Sequence, residues 1–517
     1  MFPKIEKKLI GKMKKRRSPW SYIPSLYFAE GVPYVLVNEL SVPMFKTLGA
    51  DNIFIGMTSF LYLPWAIKFL WSPALESHKT KRYWLLFFQF LLTLSFFLLA
   101  FRIYLPHNII FSLIIFTIVA FLSASHDIAI DGYYLYALEK KDQAFFSGIR
   151  STFYRFAKIF AGGILVMIAG VVNVGSNSNE PGWSLAFIIA GVIFALLFIL
   201  HRLILPYPET DIKVVKEQKK FEINQTKASN STVILVSAIF SFILTMSIFG
   251  IIYKLIETVF WLWFITIIIL ILSFLIIYII LTVKKGTEFF LVFDKYFTQK
   301  KIGFILAFIL LYRFGEGILI KMVQPFLLDS LKISGLSEQA STASVGFMYG
   351  TLGITALIIG GILGGWLLKK YDIKRILFPL AFLMHLPNVL FIVLANYLPF
   401  DTVAVSLPWF DFQSFQPISF EVIIAPLAQI IVIIEQFCYG LGFTAFIVYL
   451  LYISVGEYKT SFYAISTGIM AIGMMVPGFI SGFLQQAFGY SGVFIASVIT
   501  AVPGLIMILF LPYKEEN

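Results

Sequence analysis

The sequence predicts an all-α polytopic membrane protein: two pseudo-symmetric six-helix bundles plus two extra transmembrane helices, about 14 spans in total. Three observations carry this. The 517 residues are 59% hydrophobic and only 13% charged, too little polar surface for a soluble chain of this length. Apolar runs long enough to cross ~30 Å of hydrocarbon recur along the whole chain. The first and last six of them open on similar residues, Leu26-Tyr27-Phe28-Ala29-Glu30-Gly31 and Leu311-Tyr312-Arg313-Phe314-Gly315-Glu316-Gly317.

In order, residues 1–19 form a basic segment with Phe2, Ile5, Leu9 and Met13 at roughly helical spacing, read as lying on an anionic inner leaflet. The N-terminal bundle, 20–206, holds apolar runs at 20–45, 52–75, 83–104, 108–138, 144–172 and 183–205. A Lys-rich linker, 207–231, follows. The segment 232–300 contributes two very apolar spans, 232–253 and 258–283, with almost no charge inside them. The C-terminal bundle, 301–513, places spans at 301–328, 340–369, 374–398, 420–453, 459–487 and 491–512.

Lys and Arg set the orientation. With the N-terminus inside, the inner loops hold Lys79 to Arg82, Lys140, Lys141, the linker lysines, Lys369, Lys370, Lys374 and Arg375. The outer loops hold little beyond Lys46, Arg102, Lys254 and Lys332, so both termini are expected in the cytoplasm. The net charge of +12 therefore reports membrane orientation, not nucleic-acid binding. One cysteine, Cys438, excludes a disulfide framework, and five scattered histidines show no ligand spacing. The expectation is no metal and no cofactor. An enzyme is disfavoured too: His126 beside Asp127 is the only start for an acyltransferase site, and no nucleophile or phosphate loop accompanies it.

Intramembrane charge points to function. A carboxylate at a helix centre costs roughly 2.5–3.5 kcal/mol on insertion scales. Asp127 and Asp131 are four apart, so they share one helix face in the inner half of their span. Two such groups repel, so one can hold a proton near neutral pH; the alternative is a charge latch closing an inner gate. Arg155 on the next span is the expected partner of either. Glu30 and Glu316 occupy matching places in the repeats, each followed by glycine. Arg313 either pairs with Glu316 within its helix or faces a substrate carboxylate, which Arg binds bidentately. Glu435 is the only acid between Val422 and Tyr452, with nothing basic nearby. Lys68 either snorkels to the inner surface or joins the site, and His385 reads as a packed histidine. Glycines at 360, 361, 364 and 365 read as close helix packing.

Several stretches together resemble the AmpG-type muropeptide permeases and the related acetyl-CoA transporter family of the major facilitator superfamily. They are Lys68-Phe-Leu-Trp-Ser-Pro-Ala-Leu-Glu76, His126-Asp127-Ile-Ala-Ile-Asp131-Gly132 and Tyr154-Arg155-Phe156-Ala157 with Gly162-Gly163. Tyr312-Arg313-Phe314-Gly315-Glu316 and Glu435 through Gly440, Gly442, Ala445 and Phe446 complete the set. The loop from Gly365 to Arg375 is loosely similar to that superfamily's loop motif. The departures are His126 for Gln, Glu76 for Asp and Ala157 for Gly. The resemblance implies a secondary active, proton-coupled symporter of the bacterial inner membrane. It would import anhydromuropeptides by alternating access for cell-wall recycling, or another anionic solute such as acetyl-CoA. Asp127, Asp131, Glu30, Glu316 and Glu435 would then couple protons or gate. Arg155, Arg313 and Lys68 would bind the anion, and Tyr27, Tyr34, Tyr154 and Tyr312 would stack on sugar. The expected partners are a small anionic substrate, protons and the bilayer, with the protein a monomer.

Overall fold

The computed structural model describes residues 18–68, 71, 75, 79–106, 108–138, 140–172, 178–207, 241, 271, 288–411, 416–454 and 459–513. The N-terminal segment up to residue 17, the linker from 208 and nearly all of the expected spans 232–253 and 258–283 lie outside the described residues.

The first six crossings are α1 (23–47), α2 (52–67), α3 Lys81–Arg102, α4 Asn108–Ala137, α5 (140–172) and α6 Glu180–Ile204. A short helix, α7 Glu288–Phe297, precedes the second set: α8 Ile302–Ile333, α9 Glu338–Lys370, α10 Ile373–Ala395 and α11 Pro426–Ile453. The last two, α12 (459–488) and α13 (490–507), meet at Gly489, where a φ of +67° suits only glycine. Nine helical stretches among the described residues are long and apolar enough to cross a membrane.

Local chemistry starts these helices. Asp51, Thr80, Ser337 and Asp372 accept hydrogen bonds from the first-turn amides of α2, α3, α9 and α10. Gly49 and Gly335, at φ +89° and +92°, turn the chain after α1 and α8. On α3, Phe87, Phe90, Leu94, Phe97 and Phe101 form an exposed apolar stripe at helical spacing, as lipid requires.

Between α10 and α11 the chain departs from expectation. Residues 403–424, read as an outer loop running into a helix from 420, form an antiparallel hairpin of β1 Val403–Asp411 and β2 Gln416–Ile424. The helix begins only at Pro426. The apolar run continues unbroken through Val422, Ile423 and Ile424, so hydropathy hides the switch from strand to helix.

Helices from the two sets meet along two glycine seams in their far halves, the end opposite the termini. A Cβ at Gly350 of α9 would lie 2.0 Å from the carbonyl oxygen of Gly162 on α5. One at Gly170 would lie 2.2 Å from the Ala343 nitrogen. On the other side a Cβ at Gly482 of α12 would lie 2.3 Å from the Asn52 carbonyl at the start of α2. Polar groups clasp the same end: Lys46 is 2.8 Å from Asp329, and Tyr490 donates to Asp329 at 2.5 Å and accepts from Asn52 at 3.0 Å. Asn179 donates to Glu338 at 2.7 Å, and Lys332 pairs with Glu338 too. Within the second set, a Cβ at Gly360 would lie 2.0 Å from the Phe437 carbonyl, which is the close packing expected of that glycine run.

Candidate functional site

A small cavity of about 60 Å³ lies between the two sets near mid-depth. From the first set it is lined by Tyr34, Asn38 and Glu39 of α1, Tyr62 of α2 and Lys158 of α5. From the second come Arg313, Lys321 and Gln324 of α8, Tyr349 of α9, and Gln436 and Tyr439 of α11. An adjoining pocket shares Tyr34, Tyr62 and Arg313 and extends to Trp65 and Lys68.

The backbone makes this wall irregular. α1 carries a π turn at Leu36–Leu40, and Glu39 sits on it. The Lys158 ammonium is 2.5 Å from the Glu39 carboxylate, just before a π turn at Ile159–Ile164. Helix α8 is interrupted before Phe314, and Arg313 sits at the break with φ −105° and ψ 11°. Its guanidinium donates to the Tyr439 hydroxyl and lies 4.7 Å from the centre of the Phe443 ring. Aromatic rings complete the lining: Tyr34 meets Trp65 at 5.0 Å and Tyr62 at 6.1 Å between ring centres.

Two acid clusters flank the cavity. In the first set, Glu30, Asp127 and Asp131 gather around Lys68 and Arg150. Lys68 is 3.6 Å from Asp127, which also accepts from the Trp65 indole at 2.9 Å. Arg150 is 3.3 Å from Asp131, which accepts from the Tyr27 hydroxyl at 3.2 Å. In the second set, the carboxyl groups of Glu316 and Glu435 approach each other behind Arg313, 0% and 1% exposed. Neither Glu316 oxygen has a donor, and one Glu435 oxygen accepts from Gln436 at 2.9 Å.

The structure thus brings Glu30, Lys68, Asp127 and Asp131 together, and separately Arg313, Glu316 and Glu435. It corrects two expectations. Arg155 does not partner either aspartate: its guanidinium reaches the Ile358 carbonyl at 3.4 Å and covers Gly361 of α9. Arg150, Tyr154 and Lys158 recur at i, i+4 and i+8 and face α1 and the cavity, whereas Arg155 sits about 100° round the helix. Tyr312 does not face the cavity: its hydroxyl donates to the Gly442 carbonyl at 2.8 Å and its ring stacks on Phe446 at 4.6 Å. Of the four tyrosines, Tyr34 lines the cavity, Tyr154 packs behind it at 6.1 Å, and Tyr27 is buried against Asp131. His385 packs against the Tyr312 carbonyl at 3.0 Å, as read from sequence.

Sequence reasoning missed Glu39, Arg150 and Tyr439. The signals were present. Asn38-Glu39 interrupts an otherwise apolar run, and Arg150, Tyr154 and Lys158 keep a strict i+4 spacing.

Two sets of six helices around a shared polar cavity are the arrangement of a membrane transport protein. The chain belongs to the Major Facilitator Superfamily, whose model matches residues 27–415. A "Putative transporter AmpG 1" of Rickettsia bellii is 24% identical to it, over 90% of each chain. The "Anhydromuropeptide permease" of Escherichia coli is 21% identical, over 95% of this chain and 80% of its own. Among solved structures, a D-xylose–proton symporter matches with TM-score 0.58 at 11% identity, covering 94% of this chain and 95% of that one. The nucleoside transporter NupG matches with TM-score 0.56 at 14% identity, covering 94% and 98%. These likenesses concern the fold.

Proposed function

We propose that this protein is a proton-coupled symporter that imports an anionic sugar-peptide, an anhydromuropeptide, across a bacterial inner membrane with both termini in the cytoplasm. The observation that carries the coupling is an imbalance of charge. Three carboxyl groups, Glu30, Asp127 and Asp131, share two cations, Lys68 and Arg150. Glu316 and Glu435 lie together with one cation, Arg313, which acts on Glu316. Each cluster therefore holds one carboxyl group more than it holds cations. An unpaired carboxylate away from water is costly, and a bound proton removes the cost.

Both clusters border the cavity through Lys68 and Arg313. A substrate carboxylate drawn to Arg313 competes with the acids behind it, so their proton and the substrate load together. The rings of Tyr34, Tyr62 and Trp65 offer flat apolar faces for sugar. The names of the relatives support the substrate class. With the termini inside, the clasped far end is the outer gate, so the described arrangement is outward-closed.

The test is uptake of labelled anhydromuropeptide into cells lacking their own permease, and into proteoliposomes with an imposed pH gradient. Accumulation that collapses with a protonophore is expected. Correctly inserted protein that takes up none refutes the substrate; uptake indifferent to the gradient refutes the coupling.

A further inference from the structure

Lys321 lies eight residues past Arg313 on α8, about 12 Å further along the helix, and lines the central cavity while only 5% exposed. The other cations around the cavity each have a partner. Lys158 holds Glu39 at 2.5 Å, Lys68 holds Asp127 at 3.6 Å, and Arg313 donates to Tyr439. Among the described residues no acid or hydrogen-bond acceptor reaches the Lys321 amine. The polar side chains sharing its wall, Gln324, Gln436, Tyr349 and Tyr439, are uncharged. The cavity's one acid, Glu39, is already neutralised by Lys158.

An unpartnered amine in a low-dielectric wall pays to carry its charge, a bound anion offsets that cost, and the resulting pair interacts more strongly than one at a surface. We propose that Lys321 is the receptor for a carboxylate of the transported solute. With Arg313 at the other end of the same helix segment, it makes a two-point site for a solute whose acidic groups lie roughly 12 Å apart. This rests on the central cavity being the substrate site. A peptide stem bearing separated carboxylates fits such a pair; a neutral sugar leaves Lys321 unsatisfied. The sugar-facing rings lie on the opposite wall, so the solute's polar ends would point towards α8.

Purified protein is tested with an anhydromuramyl-tripeptide and with versions whose stem carboxylates are amidated one at a time. Lys321→Met is expected to raise KM for the acidic form at least roughly tenfold, and to leave KM unchanged for one amidated form. Lys321→Arg, keeping the charge, is expected to stay within about threefold of the parent. A Lys321→Met protein with unaltered KM for the acidic form overturns the proposal.

A second measurement needs no solute. In a Cys438→Ser background with Ile320→Cys in the cavity wall, the thiol is modified by anionic sulfonatoethyl or cationic trimethylammonioethyl methanethiosulfonate. The anionic-to-cationic rate ratio is expected to fall about fivefold or more when Lys321→Met is added. An unchanged ratio overturns the anion receptor. If the parent binds no tripeptide yet shows the ratio change, the muropeptide reading fails while Lys321 stands.

Discussion

Gly350→Ala gives the sharpest test of how the far end closes. The added Cβ would lie 2.0 Å from the Gly162 carbonyl, about 1.4 Å short of ordinary contact at 3.4 Å. The neighbouring atoms on α5 are backbone, so no side chain can turn aside. Helices α5 and α9 must separate for the methyl group to fit. Overpacking of this size costs about 1–3 kcal/mol. The cost falls on the closed seam and vanishes when the seam parts, so the equilibrium moves towards the far-end-open state by about 5–150-fold. The readout is labelling of Gln324→Cys in a Cys438→Ser background by an impermeant thiol reagent added from the far side. Gly365→Ala is the control, because a Cβ there meets nothing within 4 Å. Faster labelling with Gly350→Ala and not with Gly365→Ala is expected. Equal rates in both, with normal expression and insertion, refute the idea that this seam holds the far end shut.

Other outcomes follow from the same geometry. Glu435→Gln should abolish the response of uptake to a pH gradient while substrate counterflow persists; retained gradient response places the proton elsewhere. Glu39→Gln and Lys158→Met should each cost more stability than the double variant, with a coupling of roughly 1–3 kcal/mol by thermal melts; simple additivity contradicts the pair. Asp131→Asn should change stability by less than about 1 kcal/mol, because Asp131 and Arg150 are part-exposed, yet it should strongly reduce uptake. Tyr312→Phe should lose about 1 kcal/mol of stability with KM within twofold, since its hydroxyl serves only Gly442; a tenfold KM change would return it to the substrate wall.

Much of this architecture was legible in the sequence because hydropathy and repeat depend on local composition. The spans from α3 to α6 and from α8 to α10 start and stop near where apolar runs and caps place them. The i, i+4 argument put Asp127 and Asp131 on one face, and both turn towards the same cluster. What the sequence hid is rotational. Arg155 and Arg150 are equally plausible partners until the face of α5 is known, and a helix phase is set by packing. Tyr312 and Tyr34 likewise differ only in which way the helix turns them. Glu39 was hidden because a π turn places it where an ideal helix would not. The hairpin at 403–424 was hidden because strand and helix there share one apolar run.

The π turns carry a consequence for lineage. Each of the three among the described residues, at Leu36–Leu40, Ile159–Ile164 and Gly346–Gly353, represents surplus chain wound into an otherwise regular rod. Deleting a single residue from such a turn restores 3.6-residue winding and leaves the helix beyond it in nearly the same phase, whereas a deletion in a regular stretch rotates everything beyond it by about 100°. In α5 a deletion in a regular stretch would carry Gly170 off the seam, and in α1 it would carry Lys46 away from Asp329; a deletion at the π turn leaves both in place. Single-residue gaps among relatives should therefore cluster at these turns, where they leave the seams in register. The register of insertions and deletions, more than the identity of any residue, is the record in which the descent of this interface can be read.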